Sequence, residues 1–209
     1  MHSIKLALLA VALAAPITTA RAQRGSQGRE GPVAPTGLML NVHAFTTPGF
    51  GIKGDDVAGE IGTSMGPGVG ARIGWGITPQ YMVFVGADLA RLGAGNGLEG
   101  HWGFGLIEIG GRMSFPSVRS ALTPYVTASY GWRGIGAEVD NAGEVSFDGM
   151  SLSAGGGVQY QVSPALALDG NVSFAYGKFG GYEDPFQTAD LNVDNTLSTQ
   201  VRLGLNWYP

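Results

Sequence analysis

Two glycine-rich stretches match spacings that bind phosphate or activate a nucleophile in other proteins. Gly49-Phe50-Gly51-Ile52-Lys53-Gly54 has the G-x-G-x-x-G spacing, which cradles a phosphate only between a strand and a helix. Gly62-Thr63-Ser64-Met65-Gly66 has the G-x-S-x-G spacing, which places a reactive serine on a tight strand-to-helix turn. No helical periodicity follows either stretch, and 36 glycines in 209 residues produce such spacings by chance. We therefore interpret both stretches as loop glycines and predict no catalytic residue and no cofactor.

Histidine, cysteine and acidic residues are the next candidates for chemistry. The chain has no cysteine, and no serine lies two residues after His43 or His101, so neither a thiolate site nor a His-x-Ser pair is present. We interpret His43 as a polar residue that lines the interior of the fold, and we predict no metal site. Many carboxylates lie between the apolar segments: Asp55, Asp56, Glu60, Glu99, Glu138, Asp140, Glu144, Asp148, Glu183, Asp184, Asp190 and Asp194. They either solvate an exposed surface or collect divalent cations, which prefer carboxylate oxygens.

Seven other charged residues occur singly within apolar, glycine-rich stretches of the chain. They are Arg72, Asp88, Glu108, Arg112, Arg133, Asp169 and Arg202. Their expected chemistry is ion pairing, because an arginine that is removed from water needs a carboxylate partner. Four arginines and three acids come close to that balance. Whether they meet depends on the elements that carry them.

Those elements are predicted to be β-strands. Eight segments alternate apolar and polar residues, as strands with two different faces do. Their predicted bounds are Gly37–Phe45, Gly68–Ile77, Tyr81–Ala90, Trp102–Phe115, Tyr125–Ile135, Met150–Val162, Leu166–Tyr176 and Thr196–Tyr208. Long connections follow strands one, three, five and seven, whereas short connections, such as Thr78-Pro79-Gln80 and Ser163-Pro164-Ala165, follow strands two, four and six. This alternation is typical of an antiparallel up-and-down barrel whose long loops all lie at one end.

The two faces of the segments differ in a way that predicts which one points inward. All seven charges fall on the face opposite the apolar stripe, together with Gly, Ser, Ala, Thr, Asn and Gln, and no segment contains lysine. A water-facing exterior normally carries many lysines and glutamates, whereas the narrow interior of an eight-stranded barrel suits small residues and a few paired charges. The opposite face is apolar and uncharged, as lipid contact requires. We therefore predict a layer of ion pairs inside the barrel, with Arg72–Asp88 and Glu108–Arg133 as cross-strand pairs.

Aromatic residues form two groups near the strand ends. Trp75, Tyr81, Phe115, Tyr160 and Trp207 lie near the short turns, and Trp102, Tyr130, Trp132 and Tyr176 lie nearer the long connections. Aromatic belts at both interfaces are typical of membrane proteins.

The first residues predict export. Lys5, the apolar run Leu6–Ala15 and the small-x-small site Ala20-Arg21-Ala22 form a cleavable signal peptide, residues 1–22. Residues 23–36 are predicted to be a periplasmic linker, and residues 37–209 the barrel domain. Charged residues make up 13% of the chain, against about 25% in soluble domains. The formal net charge of −4, which becomes more negative once Lys5 and Arg21 are removed, argues against a nucleic-acid partner.

The topology, the proline-containing turns and the last strand, Val201-Arg202-Leu203-Gly204-Leu205-Asn206-Trp207, resemble the small outer-membrane β-barrel family of OmpA-like and OmpX-like barrels. The resemblance covers residues 37–209 and implies an all-β, eight-stranded antiparallel transmembrane barrel in the outer membrane. In that family the barrel-assembly machinery reads a last strand that ends in an aromatic residue, and here Tyr208 and Pro209 follow Trp207.

Three functional classes are consistent with these features of the sequence. The first is a monomeric, non-enzymatic barrel for envelope integrity or surface interaction, with a lumen plugged by ion pairs and with membrane lipid and lipopolysaccharide as partners. The second is a narrow, porin-like channel for ions or small solutes. The third is an outer-leaflet enzyme that modifies lipid. A soluble periplasmic barrel is the remaining alternative.

Overall fold

The computed structural model is an all-β protein. It describes residues 36–47, 51–52, 61–62, 65–93, 101–117, 120–139, 143–179, 181–183, 188–190 and 196–209. Within these ranges no helix is long and apolar enough to cross a membrane. Eight long strands carry the fold: β1 (Gly37–Thr47), β2 (Gly66–Gly76), β3 (Tyr81–Gly93), β4 (His101–Ser114), β5 (Leu122–Val139), β6 (Gly143–Ser163), β7 (Leu166–Gly177) and β8 (Thr196–Trp207).

The eight strands form a closed antiparallel barrel. Each strand pairs with the next one along the chain, and β1 pairs with β8 to complete the circle. The register places Ala44 of β1 opposite Leu203 of β8 and Val69 of β2. Closure leaves no free sheet edge along the barrel wall, which is the condition for strands to cross a bilayer. The predicted fold class is confirmed.

Strands β5 and β6 are longer than their apolar patterns predicted. The expected connection between Ile135 and Met150 is mostly strand, because Gly136, Ala137 and Glu138 pair in turn with Ser146, Val145 and Glu144. A two-stranded ribbon can continue beyond the apolar zone, where the sequence no longer has to alternate. The predicted end of β5 at Ile135 is therefore where the apolar face stops and not where the strand ends.

The exterior of the barrel is apolar and the interior is mostly polar. Along β8, Leu197, Leu203 and Trp207 point outward, and Leu203 exposes 69% of its surface. Such exposure of large apolar side chains around a closed barrel is what lipid contact requires and what water would penalise.

Both ends of the exterior carry aromatic residues, with one correction. Trp75, Tyr81, Phe115, Tyr160 and Trp207 are exposed near the short turns, and Tyr130, Trp132 and Tyr176 are exposed nearer the other end. Trp102 was predicted to join this second belt, but it packs against the interior cluster and lies 6.3 Å from the Phe147 ring. Trp102 has the same parity along β4 as Glu108, which faces the interior.

The three tight connections lie at one end of the barrel. The turn after β2 is held by Thr78, whose Oγ1 accepts hydrogen bonds from the backbone N–H groups of Gln80 and Tyr81 at 3.2 and 3.0 Å. Pro164 and Ala165 connect β6 to β7.

The opposite end of the barrel carries the long connections. Two short antiparallel pairs lie there, Gly51–Ile52 with Ile61–Gly62 and Gly181–Glu183 with Thr188–Asp190. Most of the acidic connections, the glycine stretch from Gly49 except for Gly51–Ile52, the predicted signal peptide and all but the last residue of the linker lie outside the described residues.

Candidate functional site: the barrel interior

The interior of the barrel contains all seven charged residues that were singled out in the sequence. Asp88, Glu108, Arg112, Arg133 and Arg202 are buried, and the side chains of Arg72 and Asp169 keep about a tenth of their surface exposed. Buried charges are tolerated only with partners of opposite charge and with hydrogen bonds that satisfy the remaining polar atoms. The contacts of these residues therefore define the site.

Arg72 on β2 binds Glu108 on β4 across the strand that separates them. Its Nη2 and Nε donate to Oε1 of Glu108 at 2.6 and 3.0 Å. The two residues share one row of the sheet, in which Gly86 of β3 pairs with both. A Cβ atom at Gly86 would lie 2.7 Å from Cγ of Arg72. Glycine thus leaves space for the arginine to pass over β3.

The same arrangement recurs one row nearer the long connections. His43 on β1 contacts Asp88 on β3, with Nε2 2.8 Å from Oδ1, and Gly70 of β2 pairs with both residues. Nδ1 of His43 lies 2.7 Å from Oδ1 of Asn41. Both ring nitrogens of His43 therefore lie within hydrogen-bond distance of a side-chain oxygen.

Arg202 on the last strand joins these two pairs. Its Nη2 donates to Oδ2 of Asp88 at 2.8 Å and lies 3.6 Å from Oε1 of Glu108. Ser173 and Gln200 accept further hydrogen bonds from the same guanidinium. The second oxygen of Glu108 accepts a hydrogen bond from Ser129 at 2.6 Å. The two carboxylates are therefore each shared by cationic and neutral donors.

A third ion pair lies nearer the short turns. Nη1 of Arg112 is 3.2 Å from Oδ2 of Asp169, and its Nη2 donates to Gln159 at 2.6 Å. The guanidinium lies 3.6 Å from the centre of the Tyr125 ring, and the Tyr125 hydroxyl donates to Asp169 at 2.7 Å. Stacking of arginine on an aromatic face adds a cation–π attraction to the ion pair.

Two asparagines connect the third pair to the others. Nδ2 of Asn41 donates to Oδ1 of Asn206 at 2.7 Å, and Nδ2 of Asn206 donates to Asp169 at 3.0 Å. Since Asn41 also contacts His43, a continuous chain of hydrogen bonds runs from Asp88 to Asp169. The three ion pairs therefore belong to one connected polar network.

The partners differ from the two cross-strand pairs expected from the sequence. Arg72 binds Glu108 directly, whereas Asp88 is bound by His43 and Arg202. Arg133 lies nearer the long connections, where it donates to Thr196 and its guanidinium is 4.6 Å from the Phe179 ring. Alternation assigns a residue to a face, but partners across two strands depend on the stagger between strands, which alternation leaves open.

Apolar clusters lie above and below the polar network, and the alternation of the strands did not predict them. The larger one, toward the long connections, contains Phe45, Leu92, Phe104, Leu106, Ile135, Phe147 and Phe179. The smaller one, at the short turns, contains Met39, Ala167 and Tyr208. The signal that could have found the larger cluster is parity, because Phe104 and Leu106 lie four and two residues before Glu108.

Tyr208 lies just beyond the last strand and is folded back into the barrel. Its backbone N–H donates to the Ala165 carbonyl at 2.9 Å, and its hydroxyl donates to Gln159 at 2.9 Å. Burial raises the pKa of the Tyr208 hydroxyl, so it stays protonated as a donor. The residue that departs from the family's terminal pattern is thus part of the interior packing.

A small cavity lies within the polar network. It has a volume of about 20 Å³ and lies between Asn41, Arg72, Phe84, Arg112 and Asp169. This is room for roughly one water molecule. Within the described residues no group of three or more His, Asp or Glu could hold a metal ion. His43 contacts an asparagine and an aspartate, so the arrangement resembles a structural network and not a serine–histidine catalytic pair.

Solved structures with a similar fold are outer-membrane barrels. The neisserial surface protein NspA aligns with 80% of this chain and 96% of its own, at 17% identity and a TM-score of 0.55. OprG from Pseudomonas aeruginosa aligns with 86% of this chain and 97% of its own, at 11% identity and a TM-score of 0.56. Ail, the attachment invasion locus protein of Yersinia pestis, aligns with 83% of this chain and 99% of its own, at 13% identity and a TM-score of 0.51. At these identities the likeness establishes a shared fold.

No protein-family model matches the chain, and no curated protein does. The small outer-membrane barrel fold expected from the sequence is the fold found.

Proposed function

We propose that this chain is a non-enzymatic outer-membrane protein with a closed lumen, which acts in envelope integrity or surface interaction. The filled interior is the observation that carries the proposal. A channel needs a continuous polar path, and here three ion pairs fill the middle of the barrel while apolar clusters lie at both ends. Eight strands enclose an interior that side chains can fill completely.

Location in the outer membrane is supported by the exterior. Large apolar side chains cover the outside, and aromatic residues lie near both ends. The seven charged residues described above point into the interior. An N-terminal signal peptide over residues 1–22 would supply export. The short turns would then face the periplasm and the long connections the cell exterior, as in other barrels of this architecture.

A role at the cell surface follows from the closed interior. If solutes do not pass through the barrel, its contacts with other molecules are made by the long connections and by the lipid-facing wall. The β5–β6 ribbon extends past the last outward-facing tryptophan, Trp132, and is the longest described part of that end. We infer that the barrel is a monomer surrounded by lipid and lipopolysaccharide. The β5–β6 ribbon would then lie outside the cell, in water.

Ion conductance tests the proposal. The purified barrel, inserted into planar bilayers, is expected to show no steps above the baseline. The matched variant Arg72→Ser with Glu108→Ser removes one pair together, so that no partner of that pair is left alone, and it widens the narrow middle of the lumen. We expect this variant to conduct weakly. Steady ion steps from the unaltered protein would contradict the closed lumen and favour the narrow channel.

Membrane location has its own measurement. Folded barrels migrate differently from heated ones on a gel, so heat-modifiable migration combined with membrane fractionation tests the location independently of conductance. Recovery of the unaltered protein in the soluble periplasmic fraction would contradict it.

A further inference from the structure

The lipid-facing wall is not uniform, and it is concave over strands β8, β1, β2 and β3. Alanines form the floor of this groove at Ala44, Ala71 and Ala87, and larger apolar side chains line it, at Val42, Val69, Leu89, Leu203 and Leu205. The register aligns these residues in two rows, one that runs through Ala71 and Ala87 and one that joins Ala44 to Leu89 through Val69. The groove is a shallow, open depression of about 670 Å³, and its lining is almost wholly apolar.

The next row toward the long connections carries two polar residues, which lie on either side of Pro67 on β2. Thr46 follows Ala44 by two residues on β1, and Arg91 follows Leu89 by two residues on β3, and both side chains are exposed on the outer face. Residues two apart on a strand share a face and are separated by about 7 Å. The apolar groove thus ends at a hydroxyl and a guanidinium.

Arg91 is an unusual residue at this place. The predicted strand ended at Ala90, but β3 continues to Gly93 and carries Arg91 on the lipid-facing side. Within the described part of the chain, no hydrogen bond or ion pair joins its guanidinium to another side chain. An outward-facing arginine is tolerated near the membrane interface far better than at mid-bilayer, and anionic lipid headgroups lie at that depth.

The wall beside Arg91 is open. Gly103 pairs with Arg91 on the neighbouring strand β4, and Gly105 pairs with Leu89. The nearest atoms to a Cβ at Gly103 and Gly105 would be 3.6 and 3.8 Å away, so internal packing does not require glycine at either position. The absence of side chains there leaves the guanidinium accessible from the side as well as from above.

We propose that this groove and Arg91 form a binding site for a phosphate-bearing lipid of the outer leaflet, of the lipid A type. One acyl chain lies along Ala44, Ala71 and Ala87, and the phosphate accepts hydrogen bonds from Arg91 and Thr46. Charge complementarity selects an anionic headgroup, and the alanine floor selects an extended chain. The inference rests on the membrane location proposed above.

Lipid retention by the purified barrel tests the site. The protein is folded in a neutral maltoside detergent and titrated with lipid A or with phosphatidylcholine, and bound lipid is counted by native mass spectrometry. We expect lipid A to be preferred, and Arg91→Gln to weaken its binding about tenfold, as the loss of one charge-assisted contact does. Ala71→Leu places a larger side chain in the groove without changing the barrel interior. We expect it to weaken lipid A binding about as much as Arg91→Gln does.

Two control variants separate this site from general lipid contact. Lys178→Gln removes an exposed positive charge directly after β7, and Ala128→Leu enlarges an outward-facing alanine on β5. Both variants should bind lipid A as the unaltered protein does. Equal binding by Arg91→Gln and Lys178→Gln, equal binding by Ala71→Leu and Ala128→Leu, or no preference over phosphatidylcholine would each overturn the proposal. Conductance and fractionation are not read in this experiment, so a failure of the closed lumen or of the membrane location would be seen separately.

Discussion

Two interior glycines determine how charged residues meet inside this barrel. Gly70 lies between His43 and Asp88, and Gly86 lies between Arg72 and Glu108, so each contact bridges strands that are not neighbours. A Cβ atom at Gly70 would be 2.2 Å from Oδ1 of Asp88 and 2.5 Å from Nε2 of His43. Glycine is required there because its missing side chain is the space in which the contact forms.

We predict that Gly70→Ala destabilises the barrel by about 1–3 kcal/mol, the usual penalty for an overpacked interior. The added methyl group would separate His43 from Asp88. The measurement is unfolding of the folded protein in urea, with the folded fraction read from its heat-modifiable migration on a gel. Gly105→Ala is the matched control, because it faces outward with its nearest neighbouring atom 3.8 Å away. An equal loss of stability in both variants would show that space at Gly70 is unimportant.

The faces of the interior charges were predictable from the sequence, but their partners were not. Arg72, Asp88 and Glu108 alternate with apolar residues, and this alone assigns them to the interior. Which carboxylate Arg72 binds depends on Gly86 pairing with both Arg72 and Glu108. That register arises from the tilt and stagger of closed strands, which no single strand's pattern contains.

At the scale of elements, the end of β7 closes the part of the lumen that is nearer the long connections. After Gly177 the pairing with β6 is interrupted and resumes at Gly181, opposite Asp148, with one more residue on the β7 side. Phe179 keeps the inward parity of Ser173 and Gly177, and only 1% of its surface is exposed, whereas Lys178 is exposed outside.

We predict that Phe179→Ala destabilises the barrel by about 3–5 kcal/mol, as truncation of a buried phenylalanine does. Unfolding in urea would measure this loss, with Phe174→Ala, which exposes its ring to lipid, as the control. Conductance should stay at baseline in Phe179→Ala, because the Arg72–Glu108 pair lies deeper in the lumen. A conducting Phe179→Ala protein would place the seal at this ring instead of at the ion pairs.

Element positions were largely predictable, and the exceptions have a common cause. All eight strands were located by alternation, but the extensions to Val139 and from Gly143 were not. Those residues lie where no apolar face has to be maintained, so their strand conformation depends on pairing with each other. Phe179 escaped prediction because the predicted strand ended at Tyr176, although Phe179 continues the inward parity of Gly177.

At the scale of the whole molecule, the barrel is inverted relative to a soluble protein, with charges inside and apolar residues outside. The four tryptophans report this directly. Trp75, Trp132 and Trp207 point outward with at least half of their surface exposed, whereas Trp102 packs inward against Phe147.

We predict that brominated lipids quench the fluorescence of single-tryptophan proteins that keep Trp75, Trp132 or Trp207. The protein that keeps only Trp102 should be protected, because its indole lies on the interior side of β4. Reconstitution into vesicles of brominated phosphatidylcholine provides the measurement, with non-brominated vesicles as the control. Quenching of Trp102 as strong as that of Trp132 would contradict the assignment of faces.

Arg202 has a consequence for how the barrel assembles. It lies on the last strand, yet its partners Asp88, Glu108 and Ser173 lie on β3, β4 and β7. While β8 is not paired with β1, the carboxylates of Asp88 and Glu108 lack the Arg202 guanidinium. Part of their negative charge would then have no cationic partner. Closure of the barrel therefore also brings a shared cation to two buried carboxylates, whose charge is costly to leave uncompensated. Separation of β8 from β1 must therefore break ion-pair contacts inside the barrel as well as the backbone hydrogen bonds of the seam.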